Sequence, residues 1–510
     1  MQYSSSSYDV VVIGSGLGGL LSAVIMAKEG MKVCVLEKNK QLGGCLQTFS
    51  LQKQVFDSCV HYVGGLGEGH TLHRIFSYAG IMDKLELKSF DPDGFDRIVF
   101  DREDTSYPLA IGGANFVEQL RAYFPGEKQA LENYITLLKK VGDHFPLYRL
   151  RKGDAHEKSS VSGWELTSTL ESITTNKLLQ NVLSGNNLLY AGVKNKTPFY
   201  LHALVSESYI HSAHKIIPGS SQVSKFLANE LRAYGGEIFR NTEVIKLTEE
   251  QGLLRYAETA DGQQFYGKQF IANMHPQVLL EILHTNLIRP AYKNRISSLQ
   301  QTIAPFMLNL VLQPAAVPMR HHNIYWHRSH DSLAAVHYSA ANFPETYAAY
   351  FTESKEHKGF AESISILTYM YYDEVKPWEQ THNHTGAKQE RGESYGEFKQ
   401  QKSEQLLQKV LQQVPELQGT ILARSAATPL TFRDYTATPS GSLYGILKDV
   451  QNSAATTVAV KTKIPNLLFT GQNVNMHGVL GVSITALATC AELIGMDYLL
   501  AKVNRDHLIS

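Results

Sequence analysis

Cysteine is scarce in this 510-residue chain: there are four, at positions 34, 45, 59 and 490. No two of them form a CxxC pair, which argues against a disulfide framework and against a thiolate zinc site. An excess of either charge is lacking too. Lys+Arg and Asp+Glu both number 48, and a nucleic-acid partner, which favours a basic face, is not expected. No run of 18 apolar residues occurs, so no membrane-spanning helix is expected. The start, Met1-Gln2-Tyr3 and four serines, carries no basic-plus-apolar signal pattern. These absences lead to an expectation of a cytoplasmic protein in a reducing compartment, peripheral at most on the inner face of a membrane. His321, His322, His327 and His330 cluster, but without carboxylate or Cys ligands at a metal spacing. They read as a surface loop, and no metal is expected.

What is present is an ordinary globular balance, 43% hydrophobic and 19% charged, enough for a large core. Tyr8 to Leu36 reads as strand, tight turn, helix and strand. Val10 to Ile13 is a β-branched run suited to a strand buried on both faces, and Gly30 is placed to end the helix. Further on, Val223 to Tyr234 reads as an amphipathic helix and Glu237 to Leu247 as one strand. The charged, Gln-rich stretch 379–402 reads as a solvated excursion. Leu467 to Thr470 is a short apolar strand, and Ser483 to Ile494 a final helix.

The turn after the first strand is Gly14-Ser15-Gly16-Leu17-Gly18-Gly19. Gly14, Gly16 and Gly19 occupy the three positions of GxGxxG, serving a tight turn, close backbone approach to a pyrophosphate, and close helix–strand contact. The helix that follows aims free N–H groups and a partial positive charge at the phosphates. Glu37 ends the second strand, near the spacing at which an acid binds ribose hydroxyls. Only one such unit exists, so NAD(P)H has no dedicated domain.

The extension Glu37-Lys38-Asn39-Lys40-Gln41-Leu42-Gly43-Gly44 resembles the FAD-binding motif of the amine oxidase and phytoene desaturase superfamily. Many members carry Arg after the glycine pair, where this chain has Cys45. Asn241 to Val244 is similar to the superfamily's returning strand, whose backbone contacts adenine, which assigns that contact to Val244. Thr470-Gly471-Gln472 and Gly478-Val479-Leu480-Gly481 resemble the segments that hold the ribityl chain and flavin. Phe56 to Gly64, with its His61-Tyr62-Val63-Gly64, resembles the retinol saturase branch, as do Tyr190 to Val193, His202 to Leu204 and Pro429 to Thr431. Cys59 stands where small residues are usual.

The resemblance implies an α/β fold. A Rossmann-type FAD-binding domain with a parallel sheet would be built from residues 1–85, 215–285 and 426–510. An interleaved α+β substrate-binding domain would fill 86–214 and 286–425. Ser15, Leu17, Gly18, Lys38, Gly43, Gly44, Gly471, Gln472, Val479 and Gly481 join Gly14, Gly16, Gly19, Glu37 and Val244 as expected FAD contacts. The implied activity is an FAD-dependent oxidoreductase working on carbon–carbon double bonds of an apolar polyene or isoprenoid. Desaturation or cis–trans isomerisation of a carotenoid is the second reading, and an FAD-containing carrier of lipid or prenylated protein the third. Reduction needs a proton donor opposite the hydride source. His61 stands first, with Tyr62 and Tyr209 next and Tyr190 and His202 further candidates. Electrons would come from transient docking of NAD(P)H, from a carrier protein or through a membrane quinone. Substrate entry would bring transient contact with a membrane surface, through an apolar entrance rimmed by Lys or Arg.

Overall fold

A computed structural model describes residues 6–383 and 390–505. Its first sheet has eight strands. Ser6–Ile13 lies at its centre, parallel to Val33–Glu37 on one side and to Gln264–Ala272 on the other. Val10, Val11 and Val12 are wholly buried, because helices cover one face and the chain between 244 and 299 covers the other. Glu237–Arg240 extends the sheet beyond Val33–Glu37, and Leu467–Phe469 pairs with Gln264–Ala272, both in parallel. An antiparallel extension, Leu253–Thr259 and Val244–Glu250, continues from Gln264–Ala272.

Helix Leu17–Lys28 is buried from Leu17 to Ala27. It packs against Ser221–Ala233 and Gly478–Ile494, and this explains why its sequence is apolar all round rather than striped. Gly19 permits the tight start: a Cβ there would stand 2.1 Å from the Gly14 carbonyl oxygen.

A second eight-stranded sheet is mostly antiparallel. All nine residues of its strand Ala304–Leu312 are buried. Its core runs on into helices Lys128–Asp143 and Phe199–His211, which pack on each other. A three-stranded sheet, Val63–Gly64, Ala213–Ile217 and Glu86–Ser89, links segments distant in sequence. Among the described residues, no helix is long and apolar enough to cross a membrane.

Four local expectations need correction. Residues 237–247 form two strands, broken where Asn241 takes φ 52°. The charged stretch 379–402 leads into a 21-residue helix, Glu393–Gln413, whose buried Leu406, Leu407 and Val410 seat it on the second sheet; residues 384–389 lie outside the described residues. Gly478–Ile494 is not the final helix, since Met496–Arg505 follows. His327 is not on a surface loop but in the buried strand Asn323–His327, its Nε2 2.6 Å from the Gly185 carbonyl. Among the described residues no cluster of His, Cys, Asp and Glu could hold a metal ion. The strand Ile421–Ala427 crosses the expected boundary at 425/426, because it pairs with Ala304–Leu312.

One buried side chain joins three segments of the first sheet. Asn466 Nδ2 donates to the carbonyls of Leu254 and Lys268 at 2.9 and 3.0 Å, and its Oδ1 accepts from the Leu254 N–H at 2.9 Å. Asn466→Ala would leave these backbone groups unpaired. The variant is expected to lose about 1–3 kcal/mol, the cost of unsatisfied buried polar groups, read from the shift of its urea midpoint.

Candidate cofactor and active site

A cavity of about 380 Å³ opens where four parallel strands end. Gly14, Glu37, Asn273 and Gly471, each at or just past a strand's C-terminus, form its floor. That is the place where open α/β sheets bind ligands. Two helix N-termini face the cavity, those of Leu17–Lys28 and Gly478–Ile494, and neither has a side-chain cap. Their first N–H groups are free to meet an anion, and both helix dipoles favour one. The fit is to an elongated ligand with a negative centre, as a dinucleotide is.

The loops around this cavity are tied together by Glu37. Its Oε2 accepts from the Ser15 N–H at 2.9 Å and from Ser15 Oγ at 2.6 Å, and its Oε1 from the Asn39 N–H at 2.8 Å. The Gly43 N–H in turn donates to the Ser15 carbonyl at 3.1 Å. Glu37 thus shapes the loop as well as lining the cavity, a task its spacing did not reveal. Lys38 lines the cavity with its Nζ donating to the Asp434 carbonyl at 2.9 Å. Val244 lines it beside a register shift between Val244 and Lys246.

Of the other expected contacts, Leu17, Gly16, Gly18, Gly43, Gly44, Gln472 and Val479 line the cavity, whereas Ser15, Gly19 and Gly481 do not. Ser15 is turned onto Glu37, and Gly19 is pressed against Gly14. Helical periodicity directs Val479 and Val482 to the cavity and Gly481 away from it, onto Met476. Gly16 has a further reason to be glycine. A Cβ there would lie 2.7 Å from Asn273 Nδ2, which itself donates to the Gly14 carbonyl at 3.3 Å. No motif pointed to Asn273; its signal was only its place after a buried strand.

Opposite the Glu37 end, the cavity is walled by Cys45, Cys59, Val60, Leu443 and Tyr444. Cys45 and Cys59, the two positions at which the motifs depart from the superfamily, meet here with their thiols hydrogen-bonded to each other. The hairpin Thr48–Leu51 and Gln54–Asp57 brings them together, since its register runs on from Thr48 opposite Asp57.

The proton-donor candidates fall behind this wall. His61 is not part of it. Its ring stacks on Tyr350 with centroids 4.4 Å apart, and its buried Nε2 has no hydrogen-bond partner among the described residues. Burial, with Lys215 nearby, brings the His61 pKa down to about 3. At neutral pH it then has no imidazolium proton to give. Tyr62 is committed to a buried network: its hydroxyl donates to Asp96 Oδ2 at 2.8 Å and lies 2.7 Å from the Tyr325 hydroxyl. Asp96 also accepts from Asn323 at 2.9 Å. Burial raises the Asp96 pKa to about 7 against the pull of these hydrogen bonds. Asp96, Tyr325 and Tyr350 had no sequence signal, because three strands of the second sheet bring them together.

Tyr209 is placed differently. Its ring packs tilted against Tyr62, with centroids 4.6 Å apart, and its hydroxyl donates to the Tyr62 carbonyl at 3.3 Å. It also lines a narrow hollow of about 50 Å³ that shares Gly478 and Val479 with the cavity. The helix Phe199–His211 turns Leu204, Val205, Ser208 and Tyr209 to this hollow. His202, on its other face, sits between the hydroxyls of Tyr134 and Tyr190 at 2.8 and 3.0 Å and is core.

Comparison with known proteins agrees with this geometry. Residues 12–79 match the model of the NAD(P)-binding Rossmann-like domain. All-trans-retinol 13,14-reductase of Danio rerio is 25% identical over 95% of this chain and 86% of its own length. The Homo sapiens protein of that name is 26% identical over 98% and 88%. Prolycopene isomerase 1 of an Oncidium hybrid is 24% identical over 53% of this chain and 48% of its own. Flavin-containing amine oxidase B of Bos taurus is 25% identical over 57% and 55%. In fold, an oxidoreductase from Methanosarcina mazei superposes with a TM-score of 0.63 over 95% of this chain and 99% of its own, at 16% identity. A putrescine oxidase reaches 0.62 over 96% and 99%, at 12% identity. The resemblance read from the motifs is borne out: this chain is an oxidoreductase homologue, related over nearly its whole length to proteins named all-trans-retinol 13,14-reductase.

Proposed function

We propose that this chain holds FAD in the 380 Å³ cavity and reduces a carbon–carbon double bond of an apolar polyene or isoprenoid. The observation that carries this reading is one continuous arrangement. Two uncapped helix N-termini meet at the cavity, and beyond Gly478 and Val479 an apolar hollow leads away beside Tyr209. FAD, when bound, supplies hydride chemistry. Everything else falls to the protein. The helix N-termini take the diphosphate, and the Glu37 end takes the adenosine. Val63, Leu189, Val205 and Leu480 keep water from the substrate side.

A polyene has no carbonyl to accept developing charge, so a proton must arrive from a fixed donor. Tyr209 is the donor in this reading, and Tyr62 and Asp96 are positioning residues behind it. Burial holds the Tyr209 hydroxyl protonated, its pKa raised well above the ordinary tyrosine range. NAD(P)H docking transiently is the proposed reductant, and the apolar substrate is taken up during transient contact with a membrane surface. The partial match to a prolycopene isomerase supports a second reading, cis–trans isomerisation in the same pocket.

Purified protein is expected to be yellow and to release FAD on denaturation. Flavin-free protein should react with a maleimide at Cys45 and Cys59, which line the cavity, and lose that reactivity when FAD is added. Cys34 and Cys490, buried in the core, should stay unreactive in both states. A wild type that takes up no FAD defeats the reading.

Photoreduced enzyme, mixed anaerobically with retinol, should reoxidise and yield a product heavier by two hydrogens. Tyr209→Phe should slow that step by about 10²-fold or more, the usual scale for a general acid, while retaining FAD. An equal-mass product favours the isomerase.

Asp96 gives a test that needs no substrate. Its pKa rises from 3.8 to about 7 on folding, so between those values the folded protein holds a proton that the unfolded chain releases. Stability from this group is complete below pH 3.8 and is lost as pH rises through the folded value. From about pH 5 to about pH 8 the wild type should lose about 2–3 kcal/mol relative to Asp96→Asn. Urea midpoints of both proteins at the two pH values would show it.

A further inference from the structure

The narrow hollow beside Tyr209 has a second neighbour. It shares Tyr148, Leu204, Met476 and Ile484 with a third hollow of about 740 Å³. The three spaces therefore stand in a row, from the ends of the parallel strands to the N-terminal part of the helix Phe199–His211, whose Tyr200 and Leu204 line the third.

The third hollow has two unlike walls. One is apolar and aromatic, formed by Phe145, Leu147, Tyr148, Tyr200 and Leu204. The other carries Arg295, Lys448, Lys461 and Lys463, while Lys158 lies over the Phe145 ring of the first, and no lining residue is acidic. Lys461 is balanced by Glu492 at 2.6 Å. Lys448 and Arg295 are not so balanced. Lys448 Nζ donates to the carbonyls of Thr456 and Asn473 at 3.2 and 3.4 Å. Arg295 Nη1 donates to those of Ala455 and Thr457 at 2.5 and 3.2 Å. Among the described residues no carboxylate forms an ion pair with either. Desolvation brings Lys448 down to about 8, the expected response of a cation buried without a counter-charge. In a chain whose charges balance overall, cations gathered at one hollow without acids mark a place for an external anion.

The row of hollows limits what that anion can be attached to. A ligand reaching from the cationic wall to the dinucleotide cavity must pass Leu204, Val205, Met476 and Ile484 through a space of about 50 Å³. A slim hydrocarbon chain suits such walls. A nucleotide does not, because its ribose hydroxyls would be left without partners against them.

We propose that the third hollow is a vestibule for an amphiphile with a carboxylate or phosphate at one end and an unsaturated hydrocarbon tail at the other. The head rests on Lys448, Arg295 and Lys463, and the tail runs past Met476 toward the dinucleotide cavity. This rests on the reading of that cavity as the redox site and narrows its substrate class from any apolar polyene to an acidic one. The acid could arrive free in solution or as an anionic lipid of a bilayer, and the same cations would receive either.

The test uses the FAD-loaded protein and two conjugated tetraenes, all-trans parinaric acid and the corresponding alcohol, followed by tetraene fluorescence. The acid should bind at least about tenfold more tightly than the alcohol, the scale of one charge-assisted hydrogen bond. In Lys448→Gln that preference should shrink to within about threefold, with alcohol binding kept. Lys158→Gln combined with Lys463→Gln changes two exposed side chains and should weaken the preference even if Lys448→Gln fails to fold. A second arm presents phosphatidylglycerol and phosphatidylcholine vesicles without parinaric acid. Binding to the former alone, lost in the same variants, assigns the anion to a bilayer lipid, whereas preference for the acid in solution assigns it to a free amphiphile. Equal affinity for acid and alcohol together with no vesicle preference would overturn the proposal. So would a preference that survives both variants, or displacement of the acid by NADPH, which has the anion but no tail. Flavin absorbance recorded in the same cuvette separates the failures: protein without flavin fails the redox reading, whereas flavin-loaded protein without acid preference fails only this one.

Discussion

The carboxylate of Glu37 is the tie on which the functional region depends. It is 5% exposed and draws three donors onto itself, two from Ser15 and one from Asn39. Ser15 in turn receives Gly43. Two loops of the N-terminal unit, the turn holding Ser15 and the segment holding Asn39 and Gly43, are thereby held in one arrangement around the strand ends. A buried carboxylate is costly unless it is satisfied by donors, and those donors are the loops that form the cavity wall. The same residue therefore fixes the shape of the site and leaves it facing a ligand. Asn273 completes the construction from the far side, filling the space that Gly14, Gly16 and Gly19 leave open.

A second constraint works in the other half of the molecule. Asp96, Tyr62, Tyr325 and Tyr350 share hydrogen bonds inside the core of the second sheet. In a low-dielectric interior such a network is favourable only when its members satisfy one another. Burial raises the Asp96 pKa to about 7 while the network's hydrogen bonds pull it down, and the network fixes the Tyr62 ring that Tyr209 packs against. His61, close in sequence to Tyr62, has a different fate. It stacks on Tyr350 and stays neutral, so adjacency in a motif did not confer a shared role.

The N-terminal unit was legible because its constraints are local. Gly14, Gly16 and Gly19 answer to one turn and one helix start, and Val10 to Ile13 to burial on both faces. The bounds of the strand Ser6–Ile13 and helix Leu17–Lys28 follow from them. The helix Glu393–Gln413 was hidden because its first turns are charged, and only packing of Leu406, Leu407 and Val410 on the sheet stabilises it. Asn241 split an expected strand through a backbone conformation that composition does not announce. Nothing local marked Asp96 or Asn273, whose importance comes from partners between 34 and 259 residues away in the chain.

By itself, then, the sequence determined the dinucleotide-binding unit, the place of Glu37 and the kinship with polyene-acting oxidoreductases, since each rests on short spacings that act within one turn or one βαβ unit. Only the tertiary structure decided which of His61, Tyr62 and Tyr209 lines the hollow beside the cavity, that Cys45 meets Cys59, and that five cations gather at one hollow. Those outcomes depend on which elements pack together and on the desolvation that packing brings, and neither is written in any window of the chain.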